Sequence, residues 1–128
     1  MDPIYVETAP GELIDKITVL EIKNERITDP ARLKNVRTEL DILRETKDKH
    51  LKGSPELQEL AKKLKEANQK IWDLSDRIRE LGEAGNFGKE FAEISWNIHL
   101  ANDERATIKK QVNIMQDSRI IEEKSYKH

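Results

Sequence analysis

Hydrophobic residues recur along this chain at alternating spacings of three and four, the spacing of one face of an α-helix. The clearest run occupies residues 55–82, where the seam keeps a heptad pattern without an interruption. Its members are Leu57, Leu60, Leu64, Ala67, Ile71, Leu74, Ile78 and Leu81. Ser54 and Pro55 precede the run and form a helix start signal. The pattern therefore predicts one long helix over residues 55–82.

A second long helix is predicted over residues 88–117. Glycines at positions 82, 85 and 88 interrupt the first seam, after which the same spacing resumes. The resumed seam comprises Phe87, Phe91, Ile94, Ile98, Ala101, Arg105, Ile108, Val112 and Met115. Each of the two helices is on the order of 40 Å long at the helical rise, and the short link between them requires an antiparallel hairpin.

Two shorter helices are predicted before this hairpin, over residues 10–27 and 30–52. Asp29 and Pro30 form the start signal of the second of these, and Gly53 follows its basic end. Apolar residues surround much of the first helix, so we expect it to contact more than one neighbour. The prediction is a single all-α domain over residues 1–128, with a short hairpin packed on the long one in a four-helix arrangement. Residues 1–9 are predicted to be an extended arm, and residues 118–128 a tail that either packs back on the helices or frays.

The composition of the chain excludes several classes of binding partner and site. Charged residues make up 38% of the chain, but 23 basic and 25 acidic residues are interleaved and leave a net charge of −2. This balance offers no basic surface for nucleic acid, and no apolar run is long enough to span a membrane. The first residues do not resemble a signal peptide, so we expect a cytoplasmic protein. The absence of cysteine excludes thiol catalysis and cysteine zinc sites.

We also expect neither a metal nor a cofactor. Carboxylates at helical i, i+3 spacing could hold Mg²⁺, and examples of such pairs are Glu12 with Asp15, Asp73 with Asp76, Glu80 with Glu83, and Glu90 with Glu93. A chain with 25 acidic residues produces such pairs by chance, so we expect these pairs to lie on solvent-exposed helix faces. No Glu-x-x-His sequence of the kind that binds di-iron centres is present.

Two polar residues on the apolar seams, Asn24 and Arg105, are the more informative departures from the pattern. Either can have a structural role, because a seam Asn fixes helix register and a seam Arg can pair with a carboxylate. The functional interpretation is an anion pocket, since Asn102, Arg105 and Lys109 share one face of their helix. The side chains that could complete such a pocket from across the bundle are Glu12, Asp15, Trp72 and Asp76.

The two tryptophans suggest different surfaces. Trp72 lies beside its helix seam, where it either covers the edge of the core or stacks on a ligand. Trp96 lies off the hairpin seam near Leu100, so we predict that it contributes to an interface. A homodimer or another homo-oligomer is the expected form, and a different protein partner is the alternative.

Four separated blocks resemble a family of small, uncharacterised, all-helical bacterial and phage proteins. The blocks are residues 10–23 (PGELIDKITVLEIK), the stretch around Trp72, Asn102–Asp103 with Ile108–Lys109, and residues 122–126 (EEKSY). The likeness covers nearly the whole chain and implies no known activity. A second likeness, confined to residues 13–17, is to the first helix of the all-helical chorismate mutases. It implies a dicarboxylate site in which Arg26, Arg105 and Lys109 would supply the positive charge.

From these features we predict a non-enzymatic interaction or assembly module. The alternative is a protein or enzyme that binds a small carboxylate or phosphate in a pocket of the bundle. No catalytic residue is assigned by either hypothesis. The two differ in whether the candidate polar residues meet at an open cavity.

Overall fold

Four α-helices account for the regular secondary structure of a computed structural model that describes residues 1–124. They are α1 (Pro10–Arg26), α2 (Pro30–His50), α3 (Pro55–Glu83) and α4 (Lys89–Met115). Each bound lies within two residues of the position that the sequence predicts. The described residues contain no β-strand, and α3 and α4 pack closely as an antiparallel hairpin. The predicted all-α fold is therefore confirmed.

The helix starts are set by short-range signals. The Asp29 side chain accepts a hydrogen bond from the Arg32 backbone N–H at 3.0 Å, and the Ser54 hydroxyl accepts one from Leu57 N–H at 3.1 Å. Proline follows each of these caps at the first helical position, where it needs no hydrogen-bond partner. These contacts fix where α2 and α3 begin.

α1 occupies the centre of the fold and packs against α2, α3 and α4. One core cluster fills the space between α1 and the hairpin, and includes Ile14, Leu64 and Val112. A second cluster joins α1 to α2 through Leu13, Leu20 and other residues. The prediction that the first helix contacts more than one neighbour is therefore confirmed.

The position of α2 differs in one respect from the predicted packing of two hairpins. Among the four helices, the backbone of α2 approaches only that of α1, so α1 alone covers the long hairpin. α2 is mostly exposed, and Val36 and Leu40 are its buried residues. The helices therefore form three layers, with α2 on one outside, α1 in the middle and the hairpin on the other outside.

The long hairpin extends beyond the helix that covers it. α1 has 17 residues and α3 has 29, which correspond to about 25 Å and 44 Å of helix. The end of α1 near Arg26 reaches Asp73, and the remaining turns of α3 run past it. Leu74 and Ile78 are only half-buried there. The distal part of the hairpin is consequently a two-helix projection.

One sequence expectation about the core is wrong. Asn24 was expected on a buried seam, but it is half-buried at the outside of α1 and accepts a hydrogen bond from Arg37 Nε at 3.1 Å. The buried amides are Asn68 and Asn113 instead. α1 is covered on several sides, so the row of apolar residues used for the prediction does not separate one buried face from one exposed face.

The N-terminal arm and the segment that follows α4 lie close together. Residues 1–8 are exposed and have no regular structure, whereas Ala9 is buried beside α1. The Arg119 guanidinium pairs with Glu7, which links the arm to the segment after α4. Ser125 and Tyr126 of the predicted EEKSY block lie outside the described residues.

α1 and α4 approach each other closely at Gly11. Its backbone N–H donates to Asn113 Oδ1 at 2.7 Å, so a side chain of α4 satisfies a free donor in the first turn of α1. A Cβ atom at this position would lie 2.4 Å from the Lys109 carbonyl oxygen. Only glycine allows this separation, because a backbone oxygen cannot move aside without displacing the helix.

We predict that Gly11→Ala destabilises the protein by about 1–3 kcal/mol, the usual cost of forcing extra volume into packed structure. Gly82→Ala is the matched control, because Gly82 is also helical and a Cβ there would meet only side-chain atoms at 3.8 Å or more. The control should be neutral or more stable by up to about 1 kcal/mol, since alanine favours helix. Urea denaturation measures both, and equal stability of the two variants would contradict the close approach.

Candidate functional site

The Asp15 carboxylate is a buried charge at the junction of α1, α3 and α4. The residue is 2% exposed. Its two oxygens accept hydrogen bonds from Arg105 Nε at 2.8 Å and Arg105 Nη2 at 2.5 Å. Asn68 Nδ2 donates to the same carboxylate at 2.8 Å. A bidentate guanidinium and an amide together satisfy a charge that would otherwise be costly to bury.

Two further hydrogen bonds complete this network. Asn68 Nδ2 also donates to Thr18 Oγ1 at 3.0 Å, and that hydroxyl donates to the Asp15 carbonyl at 2.8 Å. Within residues 1–124, every buried side-chain nitrogen and oxygen has a hydrogen-bond partner. The network therefore connects three helices without an unsatisfied polar atom.

Lys109 lies one turn after Arg105 and forms a second set of ion pairs. Its Nζ is 2.6 Å from Glu12 Oε2 and 3.3 Å from Glu122 Oε2, and the side chain is only 14% exposed. Burial lowers the pKa of Lys109, but the bonds to Glu12 and Glu122 outweigh it, so the pKa is raised overall. The Arg105 pKa is raised chiefly by its hydrogen bonds to Asp15. Both side chains remain cationic in the folded protein.

The chain reverses after α4 and runs back along it. Asp117 adopts the left-handed conformation with φ of 56°, and Ser118 N–H donates to the Asn113 carbonyl at 2.9 Å. Such a left-handed residue is a common helix ending. Residues 118–124, here called the C-terminal segment, then follow α4 in the opposite direction. Its contacts are Glu122 with Lys109, Glu123 with Lys110, and Lys124 with Asp103.

A polar pocket of about 350 Å³ lies between the C-terminal segment and α4. It contains the ends of four cationic and three acidic side chains. The lining residues are Glu12, Asn102, Arg105, Ala106, Lys109, Lys110, Asn113, Glu122, Glu123 and Lys124. The nearly balanced charge distinguishes this pocket from an open cationic site.

The structure brings four of the sequence candidates together. Glu12, Asn102, Arg105 and Lys109 all line the pocket, and Asp15 lies behind Arg105 as its buried partner. These five residues form one connected group around α1 and α4.

Trp72 and Asp76 are not part of this group. The Trp72 ring lies under the Arg26 guanidinium, with 5.8 Å between the guanidinium carbon and the ring centroid. Asp76 is exposed on α3. Arg26 itself pairs with Asp73, so the set of Arg26, Arg105 and Lys109 implied by the chorismate mutase likeness does not converge.

Three participating residues were not recognised as site residues from the sequence: Thr18, Asn68 and Asn113. Asn68 and Asn113 each lie next to a seam residue, Ala67 and Val112. A polar side chain adjacent to a seam is common on solvated helices, so position alone gives a weak signal. The third helix that buries each amide could not be inferred from the pattern.

The predicted interface residue Trp96 lies on the other side of α4. It is 60% exposed, and its ring stacks on His99 with 5.2 Å between centroids. Leu100 is 46% exposed one turn later, and Ile114 is 65% exposed near the helix end. Large apolar side chains thus remain in solvent along this side of the helix.

The part of the chain that the structure describes contains neither a metal-binding cluster nor a membrane-spanning helix. Within the described part of the chain, no group of three or more His, Asp and Glu side chains is placed to hold a metal ion. In that same part, no helix combines the length and apolarity that a membrane crossing requires. The acidic pairs noted in the sequence are therefore not drawn together into larger clusters.

A family model described as a family of unknown function, DUF6165, matches residues 4–128. The chain belongs to this family. The match takes in all four helices and the C-terminal segment. Searches of curated proteins and of solved structures each found no match. Membership in DUF6165 assigns no activity to the pocket or to the Trp96 surface.

We predict that Arg105→Leu destabilises the protein by about 3 kcal/mol, because it leaves the Asp15 charge buried with Asn68 as its remaining side-chain donor. Replacing both partners, as Asp15→Asn with Arg105→Leu, should restore much of that loss. Arg77→Leu is the control, since Arg77 makes exposed ion pairs with Glu80 and Glu90 and should change stability little. Chemical denaturation of the four proteins forms the test. A single Arg105→Leu as stable as the wild type would contradict this account.

The raised pKa of Lys109 also predicts a pH dependence. A cation with a folded-state pKa above its ordinary value of 10.5 stabilises the protein fully below that value, and the contribution is lost as pH rises through the folded pKa. At pH 9, Lys109→Met should therefore be about 1–2 kcal/mol less stable than the wild type. This difference should shrink as the pH is raised above 10.5.

Lys63→Met is a suitable control for this measurement, because Lys63 is exposed and makes no ion pair within the described residues. Its difference from the wild type should stay small at every pH. A Lys109→Met difference that remains constant between pH 9 and pH above 10.5 would show that charge is not the source of the stabilisation.

Proposed function

We propose that this protein is a non-enzymatic interaction module that binds a second copy of itself through the outward side of α4. The observation that carries the proposal is the exposure of Trp96, Leu100 and Ile114, which are 60%, 46% and 65% exposed on one helix. Scattered apolar residues are normal on a protein surface, but alignment on one side of a helix is typical of a docking surface.

These residues are aligned because successive helical residues turn by about 100°. Leu100, Thr107 and Ile114 are spaced by heptads, with Trp96 one turn before the first and Gln111 one turn before the last. We call this row the α4 outer face. From Trp96 to Ile114 it is about 27 Å long at the helical rise. Its spacing is that of a coiled-coil seam in which Asp103 occupies the position between Leu100 and Thr107, and it points away from the hairpin core.

The charged residues beside the α4 outer face have partners within the same chain. Asp103 pairs with Lys124 at 2.9 Å, and Lys110 pairs with Glu123 at 3.3 Å. Both partners belong to the C-terminal segment. If an apolar surface binds here, Asp103 and Lys110 would be desolvated as members of ion pairs and not as isolated charges. Desolvation of an isolated charge is the usual energetic cost of burying a charged residue at an interface.

A groove of about 520 Å³ continues from the α4 outer face towards α3. Its apolar lining comes from Leu60, Ile114 and Met115, and the polar side chains of Glu56, Glu59, Lys63 and Gln111 border it. Two helices side by side, each about 40 Å long and 10 Å wide, present roughly 800 Å², the area that each partner contributes to a stable interface. Two hairpins associated in this way would complete a four-helix arrangement, which supports a second copy as the partner.

Small-anion binding is a second candidate function, and one observation favours it. The pocket between α4 and the C-terminal segment contains Arg105, Lys109 and the amide of Asn102. These residues lie on a different side of α4 from Trp96 and Ile114. Self-association and anion binding are therefore compatible.

We predict that light scattering with size exclusion at about 100 μM shows a mass near twice 14.9 kDa. Trp96→Glu should return the protein to a monomer, because an unpaired charge desolvated in an interface costs several kcal/mol. Ile42→Glu is the matched control. Ile42 is 58% exposed on α2, so the same change there should leave the dimer intact.

Fluorescence provides a second measurement on the same surface. With Trp72→Phe, Trp96 becomes the single tryptophan of the chain, and its emission should shift to shorter wavelength as protein concentration rises. A wild-type protein that stays monomeric at this concentration, or dimers that persist in Trp96→Glu, would refute self-association through the α4 outer face.

A further inference from the structure

Lys109 lies beneath the C-terminal segment, and its two carboxylate partners contact it at different distances. The Glu12 contact to Lys109 Nζ is 2.6 Å long, whereas the Glu122 contact is 3.3 Å and the Glu122 side chain is 52% exposed. An exposed ion pair of this length contributes little stability. Of the two carboxylates on Lys109, Glu122 is therefore the one that another anion can replace.

Arg105 also retains donors while it holds Asp15. The guanidinium uses Nε and Nη2 for the Asp15 carboxylate, and its Nη1 donates no hydrogen bond within residues 1–124. Arginine carries five N–H groups, so binding Asp15 leaves several of them unused. Arg105 lines the pocket and is 32% exposed at its side chain.

Asn102 adds a neutral donor at the same place. Its side chain is half-buried and lines the pocket, and it has no hydrogen-bond partner in the described part of the chain. An amide beside two cations is a common arrangement for binding the several oxygens of a phosphate or carboxylate. Asn102, Arg105 and Lys109 lie on successive turns of α4, so they reach the same cavity.

The charge of the pocket depends on the C-terminal segment. Two of its three carboxylates, Glu122 and Glu123, belong to this segment, but so does only one of its four cations, Lys124. If the segment moves away, three cations and Glu12 remain. The segment thus converts a cationic site into a nearly neutral one while it is in place.

We propose that the pocket is an oxyanion-binding site closed by the carboxylate of Glu122. A phosphate or carboxylate ligand displaces Glu122 from Lys109 and accepts hydrogen bonds from Lys109, Asn102 and the free edge of Arg105. Glu12 and Asp15 stay in place and hold the two cations. The cavity of about 350 Å³ admits a small ligand rather than a polymer. The site rests on the small-anion binding proposed above, and it lies on a side of α4 that self-association leaves free.

The experiment is a titration of the isotope-labelled full chain with inorganic phosphate, and separately with succinate, at constant ionic strength. The side-chain amide resonance of Asn102 and the backbone resonances of residues 119–124 should move with a single dissociation constant. Glu122→Gln should tighten binding by roughly two- to fivefold, because it removes a competing exposed ion pair.

Glu93→Gln is the matched control for charge. Glu93 is exposed on α4, pairs with Lys89 at 3.8 Å and does not line the pocket, so its loss changes net charge equally without removing a competitor. Asn102→Ala should weaken binding while every described ion pair remains, which keeps the test valid if Lys109→Met does not fold. Lys109→Met, where folded, should abolish the resonance changes.

Binding of either probe with this order of variants supports the proposal. Three results would overturn it: no binding of phosphate or succinate by the wild type and Glu122→Gln, an equal gain in Glu93→Gln, or unchanged binding in Asn102→Ala. None of these results depends on the oligomeric state, because Trp96→Glu can be titrated in the same way. Failure of the anion site is therefore distinguishable from failure of self-association.

Discussion

The ion pair between Asp15 and Arg105 is the interaction on which the position of α1 depends. A carboxylate that is 2% exposed is tolerated only where its full set of donors is present. Those donors come from α4 and, through Asn68, from α3. Any shift of α1 along the hairpin would separate the charge from them. The pair therefore accepts one register of α1 on the hairpin.

Gly11 and Lys109 reinforce the same register at the beginning of α1. The Gly11 N–H bonded to Asn113 sets the distance between the two helices, and Glu12 reaches Lys109 on the adjacent turn. The first turns of α1 thus bond to three successive turns of α4, at Arg105, Lys109 and Asn113. The pocket exists because this side of α4 holds polar side chains for α1 and also faces the C-terminal segment.

Local signals explain why so much of the fold could be predicted. Ser54, Asp29 and the prolines that follow them define helix starts within a few residues, and the seam from Leu57 to Leu81 needs no long-range information. Arg105 was recognisable because it interrupts an apolar seam. Its partner was not, since 25 acidic residues were available and Asp15 lies 90 residues away in sequence. Periodicity shows which face of a helix is covered, but not which neighbour covers it. For that reason Asn24 was assigned to the core while Asn68 and Asn113 were missed.

The central place of α1 has a consequence for synthesis of the chain. α1 emerges from the ribosome first, yet the groups that complete its polar contacts are 53, 90 and 102 residues later in sequence. At about 5–20 residues per second, α1 waits several seconds or longer for Arg105. During that interval α2 and then α3 become available to cover its apolar sides, but Asp15 still lacks the guanidinium that pairs with it in the folded protein. We expect the four helices to become compact only when α4 has emerged, which makes synthesis of α4 the step that commits them to their native packing.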